Sequence, residues 1–183
     1  MMPNPERGED LVLGLLSAHK AALVVTTEAG GLGFCGVGYG GTYGAYDVAS
    51  CVTDSEHVPP HAGCSCGFYA WRDHDAAVRL VNDEAVVLLD VELWGTFHAY
   101  ERGYVAAAQK VRTVTVQPFC AGCLASRDRQ FERATVLAGD RRTSVPLQPV
   151  CDEHAQREQT VFTLAEATEE LGAEVCWPPT TIR

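Results

Sequence analysis

The feature that most constrains this chain is the spacing of its cysteines, of which there are eight in 183 residues. Cys120-Ala-Gly-Cys123 is followed, after residues 124–150, by Cys151-Asp-Glu-His154, a second pair with the same two-residue gap. A C-x2-C pair turns two thiolates toward one ion, and a C-x2-H pair at the start of a helix adds two ligands on one face. The sequence therefore predicts a closed tetrahedral zinc site, the C-terminal cluster, made by Cys120, Cys123, Cys151 and His154.

The stretch between these two pairs predicts how the site is folded. Residues 133–150 look like two short strands around an Ala-Gly-Asp turn. The expected order is knuckle, hairpin and helix, which resembles a treble-clef or zinc-ribbon module. The alternatives are a CxxC redox pair and buried free cysteines. A redox pair should begin a helix inside a βαβ unit, and the sequence indicates no such unit.

A second concentration of metal ligands lies in residues 51–66, CVTDSEHVPPHAGCSC. Cys51, Cys64 and Cys66 with one histidine are a sensible ligand set for a second zinc. We favour His57 over His61, because the rigid Pro-Pro step after it can return the chain toward the C-x-C pair. Cys51, His57, Cys64 and Cys66 are called the N-terminal cluster below. Partly buried free thiols, or a metal site with an open coordination position, remain the alternatives.

Composition narrows the function classes. No apolar run approaches the roughly 18 residues that cross a bilayer, so no membrane span is expected. The N-terminus is acidic where a secretory signal would be basic, which predicts a reducing, cytoplasmic setting in which cysteines bind metal rather than form disulfides. The formal net charge of −10 disfavours binding to nucleic acid. The local exception is a cluster of arginines, Arg127, Arg129, Arg133, Arg141 and Arg142.

The middle of the chain predicts strands. Residues 85–100 and 104–117 are rich in β-branched and aromatic side chains, and the intervening Glu-Arg-Gly is a turn candidate, so a long hairpin is expected. The glycine-dense stretch 30–44 predicts turns, or strands with bulges.

Three segments predict helices. Residues 9–24 place apolar side chains near helical spacing behind acidic residues, which favours a short amphipathic helix, although residues 22–27 also suit a strand. Residues 73–82 are compatible with a second short helix. Residues 163–172 open with Thr, carry Glu three positions on and close with Gly, which is typical of a capped helix.

These patterns together predict a β-rich α+β protein in two zinc-stapled lobes. The expected organisation is a flexible tail over residues 1–8, a β-rich domain with the N-terminal cluster over 9–117, and a treble-clef-like zinc module with a C-terminal helix over 118–183.

Catalytic motifs are weak throughout. No HExxH is present, and the deaminase pattern fails because its His-x-Glu appears only as His98-Ala-Tyr-Glu101, one residue too long. A dinucleotide fingerprint at residues 31–36 is followed by more glycines, which do not begin a helix. Cys35 and Cys176 have no evident base beside them and fit the interior as small apolar residues. The sequence names no catalytic residue.

Two stretches carry a resemblance. The first runs from Cys51 through His57 to Cys64-Ser-Cys66-Gly-Phe-Tyr-Ala70, and the second from Val91-Glu-Leu-Trp-Gly95 to Glu101-Arg-Gly-Tyr104. They resemble a pattern in uncharacterised actinobacterial and phage-borne proteins, a family without an assigned activity. The resemblance implies that Cys51, His57, Cys64 and Cys66 act together. An arginine usually follows the Gly-Tyr pair in that pattern, and here Val105 stands in its place.

The sequence thus favours a zinc-binding protein with structural metal sites that binds a protein partner as an adaptor. One rival is a zinc-dependent hydrolase-type enzyme with an open metal position near Cys51, Cys64 and Cys66. Another is a nucleic-acid-binding protein that uses the arginine cluster of residues 127–142.

Overall fold

The protein is β-rich with few helices. The structure, a computed structural model, describes residues 15–38, 41–53, 56–126, 132–140 and 145–178. The strands are β1 Leu16–Thr26, β2 Leu32–Gly36, β3 Thr42–Tyr43, β4 Tyr46–Val48, β5 Phe68–Trp71, β6 Val86–Ala99, β7 Gly103–Thr115, β8 Val136–Gly139, β9 Gln148–Val150, β10 Thr160–Phe162 and β11 Glu174–Cys176. The helices are α1 His74–Val78, α2 Ala121–Ser126, α3 Asp152–Ala155 and α4 Leu164–Leu171.

The long hairpin predicted from residues 85–117 is confirmed as β6 and β7. Its register runs from Leu88 opposite Thr115 to Ala99 opposite Tyr104 at the turn. The register shifts after Asp90 and again after Trp94. Such irregularities bend a hairpin and increase its twist, which suits strands that curve around a core.

The helix predicted over residues 9–24 is wrong where the structure describes it, because Leu16–Thr26 form strand β1. Residues 9–14 lie outside the described ranges. β1 is bounded on one edge by β6 and on the other by β2. Ala18 and Ala22 are buried on one face, and Ala21 and Val25 on the other. A segment that is apolar on both faces has no alternation to reveal its period, so short apolar runs suit either element.

Four strands of the larger sheet pair in a closed ring. β1 pairs with β6, β6 with β7, β7 with β5, and β5 returns to β1 through the pair His19 and Trp71. The result is a small barrel whose interior holds Phe34, Leu89 and Leu93, all with essentially no exposed surface. Because β4 and β5 both pair with β7, the loop of residues 49–67 leaves and re-enters the barrel along the same strand.

The C-terminal segment forms a second, smaller sheet in the order β10-β8-β9. Its final strand, β11, instead adds to the barrel in parallel with β7. Helix α4 has the predicted caps, because Thr163 and Glu166 form a capping box and Gly172 ends the helix with φ of 67°. Leu137 and Leu147 belong to the same buried cluster as the barrel interior, so the core is continuous across residue 118. The division into domains at residues 117 and 118 stays a prediction.

None of the helices in the described part of the chain is long and apolar enough to cross a membrane.

Closure of the barrel generates a stability prediction at Gly103. A Cβ at this position would overlap the carbonyl oxygen of Ala70, which is backbone of the paired strand β5 and has little freedom to move. We expect Gly103→Ala to lower the free energy of unfolding by about 1–3 kcal/mol, the usual cost of forcing an extra group into a packed site.

Urea denaturation of Gly103→Ala and of the unmodified protein, at equal metal content, measures this difference in the free energy of unfolding. Gly36→Ala is the matched control, since Gly36 is also in a strand and a Cβ there meets nothing within 4 Å. Equal denaturation midpoints for the two variants would contradict the proposed closeness of β5 and β7.

Candidate metal centres

The N-terminal cluster lies in the loop between β4 and β5. The ligand atoms of Cys51, His57, Cys64 and Cys66 all fall within 4.8 Å of one another. The Sγ atoms of Cys51 and Cys64 are 3.6 Å apart, and the Nε2 atom of His57 lies 3.3 Å from the Sγ of Cys66. His57 is therefore the histidine whose ring nitrogen joins the sulfurs.

His61 lies beside the N-terminal cluster without joining this group of donors. Its ring stacks on the ring of His57 with centroids 4.5 Å apart. Its Nδ1 accepts a hydrogen bond of 3.3 Å from the backbone N–H of Gly63. The stacking holds the His57 ring from one side, so His61 is placed to orient that ring.

Gly67 explains how the C-x-C pair meets β7. Its φ of 119° lies in the region that favours glycine. A Cβ there would lie 2.6 Å from a methyl carbon of Val105 and 3.2 Å from the carbonyl oxygen of Ala106, both on β7. The chain can therefore turn directly after Cys66 and enter β5 while lying flat against the barrel.

The thiols of the N-terminal cluster differ in acidity. A hydrogen bond from the backbone N–H of Cys66, together with one from the hydroxyl of Thr53, lowers the pKa of the Cys64 thiol. Burial raises the pKa of Cys66. Thr53 Oγ1 lies 3.2 Å from the Sγ of Cys51 and 3.8 Å from that of Cys64. The sequence analysis did not identify Thr53, because a threonine two residues after a cysteine is not part of any recognised metal-binding pattern.

The C-terminal cluster is more deeply buried. The Nδ1 atom of His154 lies 3.3 Å from the Sγ of Cys151, 3.5 Å from that of Cys120 and 3.7 Å from that of Cys123. The Sγ atoms of Cys123 and Cys151 are 4.0 Å apart. The three cysteines are 0% to 6% exposed, so these four donors face one another in a nearly solvent-free space.

Short local elements position these four side chains. Cys120 directly precedes α2 and Cys123 lies in its first turn, where the Cys123 N–H donates to the Cys120 Sγ at 3.4 Å. Cys151 is the N-cap of α3, which carries His154. The antiparallel pair β8 and β9 connects the two halves, as the predicted order of knuckle, hairpin and helix requires.

Gly122 allows α2 and α3 to approach each other. A Cβ on Gly122 would overlap the imidazole ring of His154. The glycine of the Cys-Ala-Gly-Cys sequence is therefore the position at which the ring fits between the cysteines. The sequence contains this signal only as the small residue within the C-x2-C pair.

Burial and hydrogen bonding act against each other at these thiols. Burial raises the pKa of Cys151 to about 11. Burial also acts to raise the pKa of Cys120, but hydrogen bonds from the backbone N–H groups of Cys151 and Cys123 outweigh it and lower that pKa. A cation among the sulfurs would favour the thiolate form of all three cysteines and offset the cost of burying them.

The CxxC redox alternative finds partial support. Cys120 and Cys123 do sit at the start of a helix, α2, as such a pair should. However, a redox pair needs only two thiols, and here a third sulfur and an imidazole nitrogen lie in contact with both. The four-donor arrangement is explained by metal binding and not by a dithiol.

The remaining candidate residues belong to neither group of donors. The His98 ring nitrogen is 3.2 Å from the carbonyl oxygen of Pro60, and His74 packs edge-on against His19. Arg133 is exposed, whereas Arg127, Arg129, Arg141 and Arg142 lie outside the described residues. Comparison of the chain with protein-family models, with curated proteins and with solved structures finds no match.

The contact at Gly122 can be tested with a substitution that keeps all four donor side chains. We expect Gly122→Ala to displace the His154 ring and to lower the affinity of the C-terminal cluster for metal, with the N-terminal cluster unaffected. Native mass spectrometry should then detect one fewer bound ion per chain than in the unmodified protein. Gly41→Ala is the control, since a Cβ there meets nothing within 4 Å. Full metal content in Gly122→Ala would contradict the role assigned to His154.

Proposed function

We propose that this chain is a zinc-binding protein with one structural zinc ion at each cluster, and that these ions fix surfaces through which it binds another protein. The observation that carries the metal assignment is the spacing of the donor atoms. In a tetrahedral zinc site with Zn–S near 2.3 Å and Zn–N near 2.0 Å, two sulfurs lie about 3.8 Å apart and a sulfur and a nitrogen about 3.5 Å apart.

Both clusters fit this requirement. The measured sulfur–sulfur distances are 3.6 Å for Cys51 with Cys64 and 4.0 Å for Cys123 with Cys151. The sulfur–nitrogen distances range from 3.3 Å to 3.7 Å. Three soft thiolates and one imidazole favour zinc over the hard cations magnesium and calcium, which take oxygen ligands.

The donor count supports a structural role over a catalytic one. Catalytic zinc sites offer three protein ligands and leave the fourth position to water or substrate, whereas each cluster here offers four. Zinc bound in this way contributes folding free energy to segments with little secondary structure of their own. For the C-terminal cluster we propose a treble-clef-like module, in which α2, the β8–β9 hairpin and α3 supply the knuckle, hairpin and helix.

Exposed apolar side chains support the binding role. Val52 follows Cys51 and is 96% exposed, and Val58 follows His57 and is 80% exposed. Tyr46 and Val48 on β4, just before this loop, are also exposed. Apolar side chains held out by a metal-bound loop are typical of a surface that a partner covers. We call Tyr46, Val48, Val52 and Val58 the loop surface.

Charge indicates the chemistry of the partner. The formal net charge of −10 attracts a basic protein segment and repels nucleic acid. We therefore expect the loop surface to accept apolar side chains flanked by Lys or Arg. A reducing compartment such as the cytoplasm would keep all the metal-binding cysteines reduced, as zinc binding requires.

The metal assignment is tested by metal content per chain under native conditions. We expect Cys64→Ser and Cys120→Ser each to lose one zinc, because each removes a single sulfur from a different cluster. Cys176→Ser is the matched control, since Cys176 belongs to neither cluster and should leave the zinc content unchanged. A protein that binds no zinc, or one that loses the same ion in both variants, would overturn the two-site assignment.

Replacing zinc with cobalt distinguishes a closed structural site from the open metal site that the rival hydrolase hypothesis requires. Co²⁺ held by three thiolates and an imidazole gives the spectrum of a closed tetrahedral site, which small anions do not alter. A spectrum of the N-terminal cluster that changes on addition of azide would indicate an open position and favour the enzyme.

The binding role is tested by comparative affinity capture from cells that contain the chain. We expect the double variant Val52→Ser and Val58→Ser to lose proteins that the unmodified chain retains, with no change in zinc content. Val145→Ser is the control, because Val145 is exposed but lies outside the loop surface. Identical sets of captured proteins for both variants would contradict the role of the loop surface.

A further inference from the structure

A lysine lies inside the barrel. Lys20 is on β1, two residues from Ala18 and two from Ala22, both of which are fully buried, so it shares the interior face of the strand. Its Nζ atom lies 4.2 Å from the ring centroid of Tyr43 and 5.1 Å from that of Phe68. The residue as a whole keeps part of its surface exposed.

Lys20 has no acidic partner among the residues that the structure describes. Its one hydrogen-bond acceptor there is Oε1 of Gln109, at 3.4 Å. Gln109 is 0% exposed, and it is the one fully buried polar side chain of the described core. Burial of an ammonium without a carboxylate is costly, so the charged form is less favoured here than it is for an exposed lysine.

Two of the polar groups around the Lys20 amine can donate hydrogen bonds. Nε2 of Gln109 and the hydroxyl of Tyr43 are both buried, and neither makes a hydrogen bond of good geometry. The Gln109 side chain is nevertheless close enough to the Tyr43 hydroxyl to oppose the rise of its pKa. Together with the lysine nitrogen they give three donors and one acceptor in one small volume. Such a set is complementary to a molecule that brings an acceptor oxygen, such as a carbonyl compound.

The surroundings also change the acid–base chemistry of the two titratable groups. Burial lowers the pKa of Lys20 to about 8 and outweighs the influence of Cys35, which raises it. Relative to a pKa of 10.5, this increases the free-amine fraction at pH 7 by roughly 300-fold. Burial raises the pKa of Tyr43, so its hydroxyl keeps its proton and remains a donor. On the neighbouring strand β6 the residue opposite Lys20 is Leu89, which carries no charge.

We propose that the barrel interior is a binding site for a small aldehyde or ketone, which Lys20 captures as an imine. The nitrogen lone pair of Lys20 attacks the carbonyl carbon, and the carbonyl electron pair moves to the oxygen, which takes up a proton. The nitrogen loses a proton to give the carbinolamine. Loss of one water molecule then forms the C=N bond, with no oxidant or reductant. The Tyr43 hydroxyl and the Gln109 amide donate hydrogen bonds to the carbonyl oxygen as it gains charge.

The chain is well suited to a direct test, because Lys20 and Lys110 are its only lysines. The full-length, zinc-loaded protein is incubated at pH 7 with propanal and sodium cyanoborohydride, which reduces the imine to a stable propyl-lysine. Peptide mapping by mass spectrometry then gives the modification rate at each lysine in the same tube. We expect Lys20 to react at least 10-fold faster than Lys110, with a rate that saturates as the propanal concentration rises. Equal rates, or a Lys20 rate that increases linearly without saturation, would overturn the proposal of a site.

Two tyrosine variants test the arrangement around the amine. Tyr43→Phe removes the hydroxyl but keeps the ring, and we expect it to slow modification of Lys20 several-fold while Lys110 is unaffected. Tyr100→Phe makes the same change in the turn between β6 and β7, outside the group of residues around Lys20, and should have no effect. If Tyr43→Phe modifies Lys20 as fast as the unmodified chain does, the donor role of Tyr43 is wrong. Because no cysteine of either cluster takes part, failure here leaves the zinc assignment intact.

Discussion

The backbone hydrogen bonds of β7 hold together segments that are far apart in the chain. One edge of β7 pairs with β6, and the other edge pairs in turn with β5, β4 and β11. Both ends of the loop that carries the N-terminal cluster therefore rest on this strand, and so does the last strand of the C-terminal segment. The short distances between ligand atoms of the N-terminal cluster depend on this common support, since the described residues of the loop, 49–53 and 56–67, form no helix or strand.

The two clusters use this support differently. The C-terminal cluster is buried against its own small sheet, so a metal there would add to the hydrophobic core that the segment shares with the barrel. The N-terminal cluster is only partly buried and lies in a loop that presents exposed valines. Metal binding at the C-terminal cluster would stabilise the packing of α2 and α3 on the small sheet, whereas metal binding at the N-terminal cluster would fix the shape of a surface.

Local spacing predicted much of the structure. C-x2-C, C-x2-H and the C-x-C pair are short-range patterns, and the side chains chosen from them come together in two groups. The β6–β7 hairpin and α4 were predictable for the same reason, because a turn and a capping box lie within a few residues. β1 was not predictable, because its apolar residues occupy both faces and give no period. The contact of His19 with Trp71 joins residues more than fifty positions apart, and no local pattern encodes it.

The error at β1 also concealed Lys20. In an amphipathic helix a lysine among alanines reads as a solvated side chain, whereas in a strand the same residue falls on the face that closes the barrel. The interior then holds a cation that is surrounded by aromatic rings and an amide. The barrel would be more stable if the lysine had a carboxylate partner, or if an apolar side chain stood in its place. Natural sequences keep such locally unfavourable choices mainly at sites where a ligand or a reaction needs them. The buried lysine is therefore better explained by chemistry at the amine than by the stability of the barrel.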